Sequence, residues 1–278
     1  MKTLDDKVVV ITGAGSGIGR ALALNCAARG SLLALSDVDE HGLAETVDLA
    51  KNAGAREVLA GALDVADRTA FSAYATEVAE HFGRVNVVIN NAGVSLSGDV
   101  DEMSYDDMEW VVDINLWGVI AGTKEFLPHL IASGDGHVVN LSSLFGLISV
   151  PGQSLYNATK YAVRGFSESL REEMLVHGHP VGVTVVHPGG IRTGIVRNSR
   201  VVGHGDKDAI TALFDQKLAR MTPERAAEII VGAVLKNKAR CLVGIDAHAL
   251  HHFAKLSGSR YQDVVARVTA RLVPPPRR

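Results

Sequence analysis

The chain has 278 residues, of which 47% are hydrophobic and 21% are charged, and this composition excludes a disordered protein. Because 28 basic and 31 acidic residues leave a net charge of −3, nothing in it supports binding to nucleic acid or to an anionic membrane surface. The polar N-terminus, the lack of a membrane-length apolar run and the two cysteines, Cys26 and Cys241, predict a cytoplasmic protein with reduced thiols.

Strand-like and helix-like stretches alternate along the chain. The apolar stretches predict seven strands, at residues 8–11, 31–35, 57–63, 85–89, 137–141, 181–186 and 241–245. The intervening stretches predict helices at residues 18–29, 39–52, 68–82, 104–132, 154–177, 209–218 and 226–236. Pro128 predicts a kink or a break in the fourth helix. The alternation indicates an α/β protein with a doubly wound, mostly parallel sheet of seven strands and helices on both faces.

The first predicted strand runs directly into a glycine-rich stretch, Thr12-Gly-Ala-Gly-Ser-Gly-Ile-Gly19. Glycine lets the backbone turn sharply and lets a ligand approach it closely. The next helix directs its N-terminal amides and the positive end of its dipole at this loop, which suits a pyrophosphate. Asp37 follows Gly19 by 18 positions, where dinucleotide-binding folds place a carboxylate on the adenosine ribose. Taken alone, the loop is also compatible with a tight turn that binds nothing.

Polar or glycine-containing positions follow six of the predicted strands. They are Gly13–Gly19, Asp37, Asp64, Asn91, Ser142-Ser143 and His187-Pro188-Gly189. In an open parallel sheet the ligand binds beyond the carboxyl ends of the strands, so we expect these positions to converge on one edge. His187 is expected to be structural rather than catalytic. Because no repeat or linker-like composition divides the chain, we expect a single domain over residues 1–278 with its core at about 5–245.

Tyr156 and Lys160 lie four residues apart, which places the phenol and the ammonium on one face of the predicted helix. A free tyrosine has a pKa of about 10 and is a poor base near neutral pH, but a nearby lysine favours the phenolate. We therefore expect a lowered pKa for Tyr156, which suits a general acid/base acting on an alcohol oxygen. On spacing alone, a surface pair without function is the alternative.

Two further polar residues fit the same chemistry. Ser143 follows the fifth predicted strand, and its hydroxyl can orient a reacting oxygen or cap the start of a loop. Asn115 lies between apolar neighbours, and a buried asparagine needs hydrogen-bond partners. It can hold a local distortion and a water near Lys160, or it can bond a neighbouring backbone group.

With these motifs in this order, the chain resembles the short-chain dehydrogenase/reductase family, in the subgroup with TGxxxGxG and YxxxK motifs. The matching residues are Thr12–Gly19, Asp64-Val65, Asn90–Gly93, Asn115, Ser143, Tyr156, Lys160, Pro188-Gly189 and Thr193. The resemblance covers about residues 5–195. It implies a single-domain Rossmann fold and hydride transfer between nicotinamide C4 and a secondary alcohol or ketone.

The resemblance also implies a catalytic tetrad, made up of Asn115, Ser143, Tyr156 and Lys160. In that scheme Tyr156 is the acid/base and Ser143 polarises the substrate oxygen. Lys160 lowers the pKa of Tyr156 and binds the nicotinamide ribose, and Asn115 anchors a proton-relay water. The implied cofactor contacts are Gly13, Ser16, Gly17, Ile18, Gly19, Asp37, Asp64, Val65, Asn91, Gly93, Tyr156, Lys160, Pro188, Gly189, Ile191 and Thr193.

NAD is the expected cofactor, because Asp37 suits the ribose hydroxyls and repels the 2′-phosphate of NADP. Ser16 stands where NADP-dependent members of the family often carry arginine or lysine, and Arg20 is expected to face away from the loop. An NADP-linked ketoreductase and a non-catalytic, dinucleotide-binding sensor protein are the alternatives.

The expected substrate contacts are Ser143, Phe145 and Tyr156, and the apolar residues around them favour a hydrophobic alcohol or ketone. By analogy with the family, residues 190–221 are expected to form a substrate lid. Residues 246–278 form a C-terminal extension that the resemblance does not explain. No metal is expected, because the histidines at 248, 251 and 252 have no carboxylate or cysteine to complete a ligand set.

Small and apolar residues recur every four positions on the predicted 154–177 helix. They are Ala158, Ala162, Phe166, Leu170 and Met174. Such a stripe permits close helix–helix approach, and together with the resemblance it favours a homotetramer or a dimer. Packing of the stripe against the protein's own sheet is the alternative.

Overall fold

The computed structural model describes residues 1–203 and 206–272. Its strands are β1 (Val8–Thr12), β2 (Leu32–Asp37), β3 (Glu57–Ala62), β4 (Val87–Asn90), β5 (Leu96–Ser97), β6 (Gly136–Leu141), β7 (Val181–Pro188), β8 (Arg200–Val201) and β9 (Arg240–Val243). Seven of them form a parallel sheet in the order β3-β2-β1-β4-β6-β7-β9, as predicted. The strand order reverses between β1 and β4, and a ligand crevice forms at such a point.

The helices agree with the prediction to within a few residues over most of the chain. They are α1 (Gly17–Ala27), α2 (Glu40–Asn52), α3 (Arg68–Phe82), α4 (Tyr105–Val112), α5 (Gly118–Ala132), α6 (Ser154–Val176), α7 (Lys207–Leu213), α8 (Pro223–Leu235), α9 (Ile245–Ser257) and α10 (Tyr261–Leu272). The stretch predicted as one helix at 209–218 consists of α7 followed by a π-helical turn.

Of the kink or break predicted at Pro128, the break is wrong. The interruption in the 104–132 stretch is a π-helical turn, Asp113–Trp117, and α5 continues through Pro128. Proline removes the backbone hydrogen bond to the carbonyl four residues earlier, here that of Lys124. Both Lys124 and Pro128 are exposed, so water can satisfy this carbonyl and the helix persists.

Helices cover both faces of the sheet, and the alternation of side chains along β1 shows it. Val9 and Ile11 point into a core with α1, α2 and α8, whereas Val10 points into a second core with α3, α5 and α6. All three residues are fully buried. Strands buried on both faces account for the continuous apolar runs in the sequence.

Two features escaped the sequence prediction. The two-residue strands β5 and β8 pair with each other and so join the segment after β4 to the region expected to be the lid. The C-terminal extension forms α9 and α10. Its last residues, 274–278, have the sequence Pro-Pro-Pro-Arg-Arg, which predicts a frayed end, and they lie outside the described residues. Among the residues described, no helix has both the length and the apolar character needed to cross a membrane. Both cysteines are free and buried.

Candidate active site

The glycine-rich loop lies at the carboxyl end of β1, beside the carboxyl end of β4. Gly13 and Gly17 have φ angles of +66° and +53°, which favour glycine strongly. A Cβ at Gly19 would overlap the carbonyl oxygen of Gly13, so α1 packs tightly under the loop. Asn91 fastens the loop from β4, because its Nδ2 donates to the carbonyl oxygens of Thr12 (2.9 Å) and Gly13 (3.0 Å).

The Asp37 carboxylate lies directly against this loop. Its Oδ2 accepts a hydrogen bond of 2.7 Å from the Gly15 N–H, and its Oδ1 accepts one of 3.0 Å from the Asp39 N–H. A Cβ at Gly15 would come within 2.9 Å of Oδ2. The loop therefore forms a backbone-lined cradle with a half-buried carboxylate at its edge, which fits the pyrophosphate and ribose of a dinucleotide.

Arg20 does not face away from the loop, contrary to the expectation. Its Nη2 donates to the Gly15 carbonyl oxygen at 2.6 Å and to the Gly42 carbonyl oxygen at 3.1 Å. The same nitrogen lies 2.9 Å from Glu45 Oε2, and Nε donates to the Thr46 hydroxyl. The guanidinium is drawn inward by these acceptors, and Glu45 offsets its charge.

Several expected cofactor residues lie around the same edge with different exposures. Asp64 is exposed, and its Oδ1 accepts the Ala66 N–H at 2.9 Å, whereas Val65 is buried against Gly118. Ser16 is exposed at the start of α1, next to the half-buried Ile18. The structure thus brings backbone, apolar and acidic groups to one rim.

The segment after β7 reaches the loop from the opposite side. Pro188 ends the strand, and the N–H of Gly189 donates to the Val243 carbonyl oxygen. Ile191 is buried and forms a bridge with Met221. The Thr193 methyl group lies 3.1 Å from the place where a Cβ of Gly17 would be. The described part of the 190–221 region therefore starts in contact with the glycine-rich loop.

Tyr156 lies in the first turn of α6, with only 7% of its surface exposed. The edge of its ring meets the ring of Phe145, with 6.1 Å between centroids. Burial raises the pKa of the Tyr156 phenol, and a hydrogen bond with the Ser143 side chain works in the opposite direction. In the protein alone the pKa is therefore raised, because the loss of hydration is the larger effect, and the expected lowering stays a prediction for the complex with an oxidised nicotinamide.

Lys160 is buried one turn below Tyr156. Its Nζ lies 5.6 Å from the centre of the tyrosine ring and donates to the Leu141 carbonyl oxygen at 3.1 Å. Burial lowers the pKa of Lys160 to about 8, so the side chain remains mainly protonated at neutral pH. A Cβ at Gly93 would lie 3.4 Å from this Nζ, so Gly93 lies directly beside the ammonium.

Asn115 occupies the π-helical turn between α4 and α5 and is fully buried. Its Nδ2 donates to the Val94 carbonyl oxygen and its Oδ1 accepts the Val94 N–H, both at 2.8 Å. The Oδ1 atom lies 3.1 Å from the place where a Cβ of Gly93 would be, and the Lys160 Nζ lies close to the same place. Ser143, Tyr156, Lys160 and Asn115 thus form one continuous group.

Two residues hold the Ser143 loop, of which the sequence prediction missed Asn157 and gave His187 only a general structural role. His187 is fully buried, and burial lowers its pKa to about 4, so the ring is neutral. Its Nδ1 lies 2.8 Å from the Ser143 carbonyl oxygen, which only accepts, so Nδ1 carries the proton and donates. Asn157 donates from Nδ2 to the carbonyl oxygens of Phe145 (2.7 Å) and Ile148 (2.9 Å). An asparagine next to Tyr156 and a histidine before Pro188 were the available sequence clues.

Two apolar clusters include residues that adjoin this group in sequence. One cluster contains Leu96, Met103, Val111, Val94, Met108, Trp110, Val112, Leu155 and Val202. Phe145 belongs to another cluster, which packs on the C-terminal extension. Of the three histidines at the start of α9, two are exposed. Over residues 1–203 and 206–272, no group of three or more His, Cys, Asp or Glu side chains is arranged to hold a metal ion.

The fold and the site together define an oxidoreductase of the α/β class. The family model described as short chain dehydrogenase matches residues 7–201, and the chain belongs to this family. The chain is 55% identical over 274 residues to "Putative oxidoreductase SadH" of Mycobacterium tuberculosis, with 99% of both chains covered.

More distant relatives agree with this assignment. Mouse "Epidermal retinol dehydrogenase 2" is 36% identical over 238 residues, which cover 85% of this chain and 74% of the relative. The crystal structure of a short-chain dehydrogenase/reductase from Burkholderia phymatum in complex with NAD superposes with a TM-score of 0.86 at 31% identity. That comparison covers 94% of this chain and 97% of the other.

Proposed function

We propose that the protein is an NAD-dependent dehydrogenase or reductase that acts on an apolar secondary alcohol or the corresponding ketone. The observation that carries the proposal is the buried Tyr156 phenol, with the Ser143 side chain beside it and the Lys160 Nζ 5.6 Å from the centre of its ring. This group lies at the sheet edge that also carries the glycine-rich loop and Asp37. A substrate bound between Tyr156 and a dinucleotide at that loop would have the proton donor on one side and the hydride carrier on the other.

Tyr156 is the proposed general acid/base. Burial keeps the phenol protonated, which suits donation of a proton to a ketone oxygen during reduction. For oxidation the phenolate must form, and a positive charge at about the distance of Lys160 favours it by roughly 3 kcal/mol at an effective dielectric constant of 20. Ser143 orients the substrate oxygen through its hydroxyl.

The nicotinamide, when bound, supplies or accepts the hydride. Gly13, Gly17, Gly19 and Asp37 are proposed to hold the adenosine half of the cofactor. Lys160 is proposed to bind the nicotinamide ribose. The Asn115 side chain is committed to Val94, so its backbone carbonyl is the group we assign to a relay water.

The preference for NAD rests on the charge at Asp37. Two unit negative charges about 4 Å apart repel by roughly 4 kcal/mol at an effective dielectric constant of 20. The 2′-phosphate of NADP carries more than one negative charge, so its repulsion by Asp37 is at least of this kind. Ser16 offers no positive charge, and Arg20 is committed to Glu45 and to backbone carbonyls. The similar Burkholderia phymatum structure is a complex with NAD, which supports the same choice.

The apolar character of the substrate is supported by the side chains at the entrance. Phe145 meets the Tyr156 ring, and the cluster around Leu96, Leu155 and Val202 joins the β4 side of the site to the region after β7. The mouse relative is named for retinol, which is an apolar alcohol. Residues 190–221 are proposed as the lid over this substrate, within a single domain over residues 1–278.

A homotetramer or dimer is proposed through the groove between α5 and α6. Ile120, Leu127, Pro128, Ile131 and Phe166 line this groove. On α6, Ala158 is exposed and Phe166 is half-buried, whereas Leu170 and Met174 also reach the core beneath the sheet. Light scattering at micromolar concentration checks this proposal, and a monomer contradicts it.

A cytoplasmic location stays a prediction, supported by the two free, buried thiols.

A substrate panel tests the reaction. Purified protein is incubated with NAD and a series of secondary alcohols, or with NADH and the ketones, while the nicotinamide absorbance is followed. We expect turnover that increases with the apolar bulk of the substrate. Tight NADH binding without turnover on any member favours the dinucleotide-binding sensor instead.

A further inference from the structure

The C-terminal extension packs on the back of the loop that carries Ser143. Helices α9 and α10 contribute Ala247, Leu250, Ala254, Tyr261 and Val265 to a cluster with Leu144, Phe145, Ile148 and Leu242. Leu144 and Ile148 are buried there, within the few residues that separate Ser143 from α6. The extension therefore packs directly against the catalytic loop and is not a separate appendage.

Tyr261 makes the polar contact in this cluster. Its hydroxyl accepts a hydrogen bond of 3.1 Å from the Ser149 N–H, across 112 positions of sequence. Tyr261 is 9% exposed, so its hydroxyl is carried by a packed side chain. Tyr161 of α6 lines the same small surface cavity as Tyr261 and Ser149, so Tyr261 packs beside the helix that carries Tyr156.

The start of the extension contacts the other wall of the site. Asp246 Oδ2 accepts the Gly190 N–H at 2.7 Å, where the chain leaves β7 for the region proposed as the lid. A Cβ at Gly189 would overlap this carboxylate, so the contact is close. One continuous segment thus touches both of the backbone stretches that flank Tyr156.

The inner side of the Ser143 loop is already fixed. His187 binds the Ser143 carbonyl oxygen, and Asn157 binds the carbonyl oxygens of Phe145 and Ile148. The Ser149 N–H points the other way and is bonded by Tyr261. Without the extension, the Ser149 N–H loses this partner, whereas the neighbouring Val150 N–H keeps its bond to Asn157 Oδ1. An unsatisfied backbone donor favours rearrangement of the loop at that point.

We propose that the C-terminal extension clamps the catalytic loop and that Tyr261 is a positioning residue, which sets the Ser143 hydroxyl relative to Tyr156. This inference rests on the proposed function for its catalytic consequence. Tyr261 touches neither substrate nor cofactor and acts through Ser149 and the loop.

The variant Tyr261→Phe tests the clamp, because it keeps the ring and removes the hydroxyl. Loss of one neutral hydrogen bond predicts a fall in kcat/KM for the alcohol or ketone of roughly three- to tenfold. The dissociation constant for NADH is expected to stay within about twofold of wild type, because the glycine-rich loop is untouched. Hydrogen exchange at the Ser149 amide is expected to accelerate by a similar factor.

The matched control is Tyr105→Phe, the same change at an exposed tyrosine on α4. It is expected to leave kcat/KM, NADH binding and exchange at Ser149 unchanged. A lower melting temperature of Tyr261→Phe with unchanged kcat/KM and unchanged exchange assigns a packing role only and overturns the inference. A fall in kcat/KM without faster exchange at Ser149 overturns it as well.

The two proposals fail in different ways. If the wild-type protein turns over no alcohol or ketone, the proposed function fails, and the exchange measurement decides the clamp alone. If the wild type is active and Tyr261→Phe matches it in both exchange and kcat/KM, the clamp fails and the proposed function stands.

Discussion

The two sides of the site are built in different ways. The cofactor side consists of a glycine-rich loop and a carboxylate, joined through hydrogen bonds such as Gly15 to Asp37 over 22 positions. The proposed substrate side rests on side chains, such as His187 on the Ser143 carbonyl oxygen over 44 positions and Tyr261 on the Ser149 N–H over 112. Both sides use long-range contacts, since Asn91 holds the glycine-rich loop over 78 positions. The difference is that the cofactor side presents mainly backbone groups and one carboxylate, whereas the substrate side presents side chains and borrows one support from the C-terminal extension.

The largest expected effect lies where the two sides meet, at Tyr156. Tyr156→Phe keeps the ring against Phe145 and removes the proton donor. We expect turnover to fall about a hundredfold or more, the scale of general acid/base catalysis, with NADH binding nearly unchanged. Steady-state kinetics and NADH fluorescence check this pair of outcomes. Turnover within about threefold of wild type would reject Tyr156 as the acid/base.

The next effect isolates the cofactor side. The unmutated protein is expected to prefer NAD over NADP by at least about tenfold in kcat/KM, which corresponds to about 1.4 kcal/mol. Asp37→Ser combined with Ser16→Arg removes the repulsion and adds a cation, so the preference shifts toward NADP. Each cofactor is varied at limiting concentration with one substrate. Equal efficiency with both cofactors in the unmutated protein contradicts the role of Asp37.

A smaller effect isolates the inner support of the substrate side. His187→Leu leaves the buried Ser143 carbonyl without its donor, and we expect kcat/KM for the substrate to fall roughly tenfold. His187→Asn places an amide donor near the position of Nδ1 and is expected to restore most of the loss. NADH binding is the internal control. If the leucine and asparagine variants are equally impaired, the hydrogen bond is not the cause.

The smallest effect concerns the strand that joins the proposed lid to the rest of the molecule. Arg200 on β8 lies 3.9 Å over the Trp110 ring and pairs with Asp107 at 3.2 Å. Both interactions are partly exposed, so Arg200→Met is expected to raise the substrate KM only about twofold. Arg225→Met removes an exposed ion pair on α8 and serves as the control. If Arg200→Met changes the KM for NAD and leaves the KM for the substrate unchanged, Arg200 does not act on a lid over the substrate.

The sequence predicted the seven-stranded sheet and the place of the glycine-rich loop at the end of β1, for a physical reason. A strand buried on both faces must be apolar throughout, and a loop such as Gly13–Gly19 requires glycine at fixed positions. Both constraints act within a few residues and leave a visible pattern. Asp37 was predictable because it ends a strand that such a pattern already located.

The parts that escaped prediction depend on tertiary neighbours. Strands β5 and β8 are two residues long, too short for any periodicity. The Arg20 side chain turns toward the loop because the Glu45 carboxylate and the carbonyl oxygens of Gly15 and Gly42 accept hydrogen bonds there. These acceptors come together only in the folded chain. The pKa of Tyr156 depends on how deeply the ring is buried, which the spacing to Lys160 does not determine.

The π-helical turn at Asp113–Trp117 has a consequence for how this protein tolerates insertions and deletions. The turn shifts the helical phase, so that Val111 before it faces the cluster near the substrate entrance, whereas Phe126 and Leu130 after it face the sheet. Deletion of one residue from the turn would rotate everything on one side of it by about 100°. Such a change would bury polar surface and expose a core stripe at once. The length of this segment is therefore expected to be fixed across evolution more strictly than the identity of most of its residues.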